Sequence, residues 1–151
     1  MEKISNSLQE TEKIAQDWLA GISVTAKQFS ANSDRATIVG LSGDLGSGKT
    51  TFAQLVAKNL GIKEFVTSPT FVIMKIYPAV GETFKQLIHI DAYRLEKAEE
   101  IKVLNLEKFY NDKSNLILIE WPEKVQGGLP ADLKTIKFEV VRETQRKMTF
   151  N

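Results

Sequence analysis

The chain has 151 residues, 42% of them hydrophobic, with 20 Lys and Arg against 19 Asp and Glu; this predicts a single domain over residues 1–151 with an ordinary core. There is no Cys, which excludes disulfides, thiolate metal sites and Cys nucleophiles. A net charge near zero argues against tight autonomous nucleic-acid binding, although the stretch 134–147 is mildly basic and a local patch there stays open.

From the N-terminus, residues 1–6 lead into no apolar signal core. No apolar run is long enough to span a bilayer. A cytoplasmic location and no membrane partner are therefore expected. Ser-Leu-Gln-Glu over 7–10 reads as a capping box opening a helix, with Ile14, Ala15, Trp18, Leu19 and Ile22 on one face. A polar stretch around Asn32, Ser33 and Asp34 leads to an apolar, β-branched strand over 37–41.

Gly-Asp-Leu-Gly-Ser-Gly-Lys-Thr follows over 43–50 and matches the phosphate-loop pattern G-x-x-x-x-G-K-[ST]. The glycines let the backbone turn tightly and aim N–H groups at phosphate oxygens. Lys49 would set an ammonium on the terminal phosphates, and Thr50 would offer its hydroxyl to a magnesium ion. Phe52, Leu55, Val56 and Leu60 recur at helical spacing up to a C-cap at Asn59-Leu60-Gly61. The helix start would turn its positive dipole end to the phosphates. Strand, glycine loop and helix in this order favour the phosphate reading over an ordinary glycine turn.

Thr-Ser-Pro-Thr over 67–70 comes next. It is either plain turn chemistry or a switch in which Thr70 senses the terminal phosphate. Strands over 71–77 and 84–91, joined by the turn cluster 78–81, predict an antiparallel hairpin. Residues 98–110 read as one helix or two short ones, with Ile101, Leu104 and Phe109 inward. A buried strand over 115–121 ends on Glu120 and Trp121, and alternating strands over 133–141 and 145–150 close the chain. The mixture predicts an α/β fold whose mixed sheet is parallel at its centre and antiparallel towards an edge.

A nucleotide triphosphate with magnesium also needs a carboxylate at the end of a neighbouring strand. Glu120 ends the most apolar strand, in the form of a Walker B element, and Asp91 ends the run 87–90. Either could instead mark where a buried strand meets water. His89, the only histidine, reads as a strand residue with one hydrogen bond. Trp121 is either core or a wall of the site; strand alternation would point it away from Glu120.

Taken together, Gly-Asp-Leu-Gly-Ser-Gly-Lys-Thr-Thr (43–51), Ser-Pro-Thr-Phe (68–71), His-Ile-Asp-Ala-Tyr-Arg (89–94) and Ile-Glu-Trp-Pro-Glu (119–123) resemble the TsaE (YjeE) family in order and spacing. The resemblance covers nearly the whole chain. It implies a three-layer P-loop NTPase-like fold, and an ATPase that uses ATP and Mg2+. It further implies a requirement in making threonylcarbamoyladenosine at adenosine 37 of ANN-decoding tRNAs. The implied partners are TsaD and TsaB, and tRNA is met only through that complex. Carried over, Gly46, Ser47, Gly48, Lys49, Thr50 and Thr51 hold the phosphates, while Thr50 and Glu120 serve the metal. Asp91 takes a switch or hydrolysis role, and the segment with Thr70 is the first switch. Thr11 and Arg146 fall where the family approaches the nucleotide. Ser47 stands where Ala is common and Ala92 where a larger apolar residue is common.

Two other readings use the same residues. One is a nucleotide-dependent binding module whose hydrolysis is incidental. The other is a small-molecule kinase, disfavoured because Arg35, Arg94, Arg142 and Arg146 are scattered and no insertion resembles a lid. No N-K-x-D element supports a GTPase, and no L-S-G-G-Q element supports an ABC-type ATPase.

Overall fold

The computed structural model describes residues 1–29, 34–64 and 73–151. Ser7 caps the first helix, α1 (Leu8–Phe29): its hydroxyl accepts the Glu10 N–H at 3.2 Å. Glu10 reaches back one residue further than a capping box requires. Its Oε2 accepts the Asn6 backbone N–H at 2.7 Å, and this bond holds the Glu10 carboxyl below the usual range. Ala15 and Leu19 are buried, with Ile14, Trp18 and Ile22 packed beside them, so the apolar stripe is the buried face.

The strands are β1 (Glu2–Ser5), β2 (Thr37–Ser42), β3 (Met74–Pro78), β4 (Gln86–Asp91), β5 (Asn115–Glu120), β6 (Lys134–Val140) and β7 (Arg146–Phe150). They form one seven-stranded sheet in the order β1-β7-β6-β2-β5-β4-β3. β6, β2, β5 and β4 run parallel. β3 is antiparallel to β4, and β7 to both β6 and β1. The expected mixed sheet is present, but it is antiparallel at both edges. The sequence reading also lacked β1, whose register partners, Arg146 to Thr149, lie at the other end of the chain.

Strand alternation divides the core between the two faces. Val39, Leu41, Leu87, Leu116 and Leu118 face α1 and α2 (Lys49–Asn59). Ile88, Ile90, Ile117 and Ile119 face a second layer carrying Leu95, Ile101, Leu106 and Val125. That layer is thin: a 3-10 turn over Ala98–Leu104, the short α3 (Glu107–Tyr110), and further 3-10 turns at Pro122–Lys124 and Gln126–Gly128. Residues 98–110 thus form two short pieces, with Asn105 between them at φ 50°. The result is the three-layer P-loop NTPase-like arrangement, with the parallel strands ending together on one side of the sheet.

Helix α2 stops as its sequence predicts. The Gly61 N–H donates to the Lys58 carbonyl and the Ile62 N–H to the Ala57 carbonyl, each at 3.1 Å, a Schellman closure. Asn32, Ser33, Phe71 and Val72 lie outside the described residues. Among the described residues no helix is long and apolar enough to cross a membrane.

Candidate functional site: a phosphate loop with two strand-end carboxylates

β2 runs into the glycine loop, and α2 begins immediately after it at Lys49. Gly43 adopts φ 139°, and a Cβ there would collide with the Phe138 carbonyl oxygen. Only glycine lets the loop pass this close to β6. The N-cap Gly48 is left-handed at φ 107°, and no side chain caps the helix. The first intrahelical bond runs from the Phe52 N–H to the Gly48 carbonyl. The N–H groups of Lys49, Thr50 and Thr51 therefore lack a helical acceptor and open on a cleft of about 510 Å³. Free N–H groups at a helix start are suited to receive an anion.

Lys49 is buried beneath the loop, 4% exposed. Its ammonium donates to the Gly43 carbonyl at 2.7 Å and the Asp44 carbonyl at 2.8 Å, and lies 4.1 Å from the centroid of the Trp121 ring. Burial pushes the Lys49 ammonium below its usual range; Glu120, Glu123, Asp91 and Asp44 pull the other way. Ser47 is also buried, its hydroxyl tucked under the loop near Gly43 and 3.5 Å from the Lys49 ammonium.

The parallel register brings the two carboxylates side by side, with Asp91 on β4 opposite Glu120 on β5. The Thr50 hydroxyl lies 2.9 Å from both Glu120 oxygens. His89 Nε2 is 2.8 Å from Glu120 Oε1. Asp91 Oδ1 accepts the Tyr93 N–H at 2.9 Å, and its side chain lines the same cleft. Both carboxylates are buried, Asp91 4% and Glu120 2% exposed, and both line the cleft.

These groups suit magnesium. Thr50 and Glu120 offer hard oxygens, while among the described residues no three His, Cys, Asp or Glu side chains form a metal cage. An ion held by one hydroxyl, one carboxylate, phosphate oxygens and water matches the binding habit of Mg2+.

Thr11 and Arg146 both line the cleft. The Thr11 hydroxyl is 2.6 Å from the Ser5 hydroxyl and donates to the Ser7 carbonyl. The Arg146 guanidinium binds the carbonyls of Arg142, Glu143 and Gln145, bracing the β6–β7 turn. Ser68, Pro69 and Thr70, proposed as a switch, lie outside the described residues.

Trp121 is the clearest departure from strand alternation. β5 ends at Glu120, and Trp121 turns left-handed at φ 58°. Its side chain therefore joins Glu120 in lining the cleft, where it packs on Tyr93 with ring centroids 5.1 Å apart. A ligand that draws Lys49 off this ring should change its emission. Nucleotide is expected to alter tryptophan fluorescence in the wild type and in Trp18→Phe, and to leave Trp121→Phe unchanged, since the chain has 2 tryptophans. A fluorescence titration of the three proteins checks this.

A parallel strand, a glycine loop opening a helix, and acidic residues at the ends of the adjoining strands define the phosphate-loop class of α/β proteins. The family model for "Threonylcarbamoyl adenosine biosynthesis protein TsaE" matches residues 5–148. The chain belongs to the TsaE family. It is 34% identical over 125 residues to the tRNA threonylcarbamoyladenosine biosynthesis protein TsaE of Bacillus subtilis, covering 83% of this chain and 75% of that one. The Rickettsia felis protein of the same name is 36% identical over 144 residues, 95% of this chain and 75% of that one. The crystal structure of YdiB from Bacillus subtilis superposes with a TM-score of 0.71 at 28% identity, covering 99% of this chain and 83% of that one.

Proposed function

We propose that this chain is a Mg2+-dependent ATPase of tRNA threonylcarbamoyladenosine biosynthesis. In this reading it acts on a TsaD–TsaB complex, and its ATP cycle lets that complex turn over. The observation that carries the proposal is the Thr50 hydroxyl seated on the Glu120 carboxylate beneath the phosphate loop, in a chain of the TsaE family. Bound Mg2+ would supply charge neutralisation across the terminal phosphates.

The chain's own groups do the rest. The N–H groups of Gly46 to Thr51 cradle phosphate oxygens, and the Lys49 ammonium moves from the loop carbonyls onto the terminal phosphates. Thr50 and Glu120 would hold the cation. Asp91, beside Glu120 in register, orients the attacking water and accepts its hydrogen bond. Thr11 and Arg146, which line the same cleft, border the nucleotide. Trp121 and Tyr93 wall the site.

The test is a nucleotide titration of the pure protein, followed by phosphate release alone and with TsaD and TsaB. Slow turnover alone and faster turnover with the partners are expected. Asp91→Asn should lower turnover by about a hundredfold with nucleotide affinity nearly unchanged, as for a group acting mainly in the transition state. If Asp91→Asn binds ATP, hydrolyses none of it and still supports every round of tRNA modification, the protein is a nucleotide-dependent binding module instead.

A further inference from the structure

His89 is wholly buried on β4 and takes no part in the chemistry described above. Its Nε2 lies 2.8 Å from Glu120 Oε1, while its Nδ1 has no hydrogen-bond partner among the described residues. A carboxylate only accepts, so a neutral His89 must carry its proton on Nε2. The other tautomer would press two acceptors together at 2.8 Å and bury an N–H with no acceptor.

Glu120 thus has two anchors of different kinds. Thr50 belongs to α2, immediately behind the glycine loop, and moves with whatever that loop does. His89 belongs to a central strand, and β4–β5 pairing holds it in register with Leu118, two residues before Glu120. Among the described residues His89 engages Oε1, while the Thr50 hydroxyl lies 2.9 Å from both Oε1 and Oε2. The strand-mounted imidazole therefore anchors Oε1 from an element separate from the loop, so the carboxylate is not oriented by Thr50 alone.

We infer that His89 is a positioning residue for the metal: its Nε2–H orients Glu120 so that the carboxylate meets the cation beside Thr50. The inference rests on reading the cleft as a Mg2+–nucleotide site. Outer-shell donors to metal-binding carboxylates act in this way, and losing one weakens metal binding by roughly 10–100-fold.

The experiment titrates Mg2+ into each protein with a fluorescent ATP analogue and repeats the binding in EDTA. For His89→Leu, the half-saturating Mg2+ concentration should rise by about 10–100-fold while affinity in EDTA stays at the wild-type value. His89→Gln, whose amide Nε2 carries an N–H to a similar reach, should restore the wild-type Mg2+ dependence. A wild-type Mg2+ dependence in His89→Leu overturns the inference. So does an equal loss with and without Mg2+, or a His89→Gln protein as impaired as His89→Leu, because either would assign His89 to packing alone.

If thermal unfolding shows that His89→Leu does not fold, His89→Gln against His89→Asn carries the same test. The shorter Asn amide stops short of Glu120, and equal behaviour of the two overturns the inference. A wild-type protein that binds nucleotide without any Mg2+ dependence removes the Mg2+–nucleotide reading, and the inference falls with it. Mg2+-dependent wild-type binding that His89→Leu leaves unchanged removes the inference alone.

Discussion

Lys49→Ala is expected to weaken nucleotide binding by about a hundredfold and to bring ATP turnover to background. Hydrogen bonds to a charged group are worth about 1.5–3 kcal/mol each, and about 1.4 kcal/mol is tenfold in affinity. Among the described residues Lys49 is the cation buried at the base of the loop, held by the Gly43 and Asp44 carbonyls. Its loss should not unfold the protein, because burial already works against the charged form of Lys49. A fluorescent-nucleotide titration and a phosphate-release assay measure the effect, and a cooperative thermal melt shows that the fold survives. Wild-type affinity in Lys49→Ala would remove the assignment of the loop as the phosphate site. Full tRNA modification by that variant would remove the ATPase role.

The largest expected loss of stability comes from Phe52→Ala. Phe52 is fully buried, and its ring meets Trp18 of α1 edge-on at 5.3 Å and Phe138 of β6 at 5.4 Å. One side chain therefore ties α2 to both α1 and the sheet. Truncating a buried Phe costs about 3–5 kcal/mol in transfer and cavity terms, a large share of the roughly 5–15 kcal/mol that holds a domain folded. In a chain of this size each kcal/mol is worth roughly 2–4 °C, so the melting temperature should fall by about 6–20 °C. Phe52 follows Thr50 by two residues, and the cavity would open directly beneath the phosphate loop. Nucleotide affinity should fall as well. Urea denaturation checks the stability term; a loss below about 1 kcal/mol would mean that α2 re-seats into the gap.

The phosphate loop was legible because its requirements are local. A tight turn needs glycine, a phosphate needs a cation, and a helix start needs free N–H groups; all are written within 43–51. The α1 stripe from Ile14 to Ile22 and the closure of α2 at Gly61 are local in the same sense. Asp91 and Glu120 were each identified as strand-end carboxylates. Their adjacency depends on β4 and β5 pairing in parallel at the register that sets one opposite the other.

Where the reading and the structure diverge, distant contacts decide. β1 is four residues of mixed polarity, and it becomes a strand only because β7 offers it an edge. Trp121 should have faced away from Glu120 by alternation. The backbone instead leaves the strand there, with the Trp121 N–H donating to the Leu41 carbonyl at 3.1 Å, and the ring swings under Lys49. His89 was read as a strand residue with one hydrogen bond, and nothing in its neighbours named Glu120 as the partner.

By itself, then, the sequence determined the phosphate loop, the helices on either side of it, the α/β class and the identity of the charged groups. These follow from backbone preference and side-chain chemistry within a few residues. The tertiary structure alone decided which carboxylate meets Thr50, which nitrogen of His89 faces Glu120, and which aromatic ring walls the cleft. Those are set by strand register and by buried hydrogen bonds between residues far apart in the chain, which no local preference encodes.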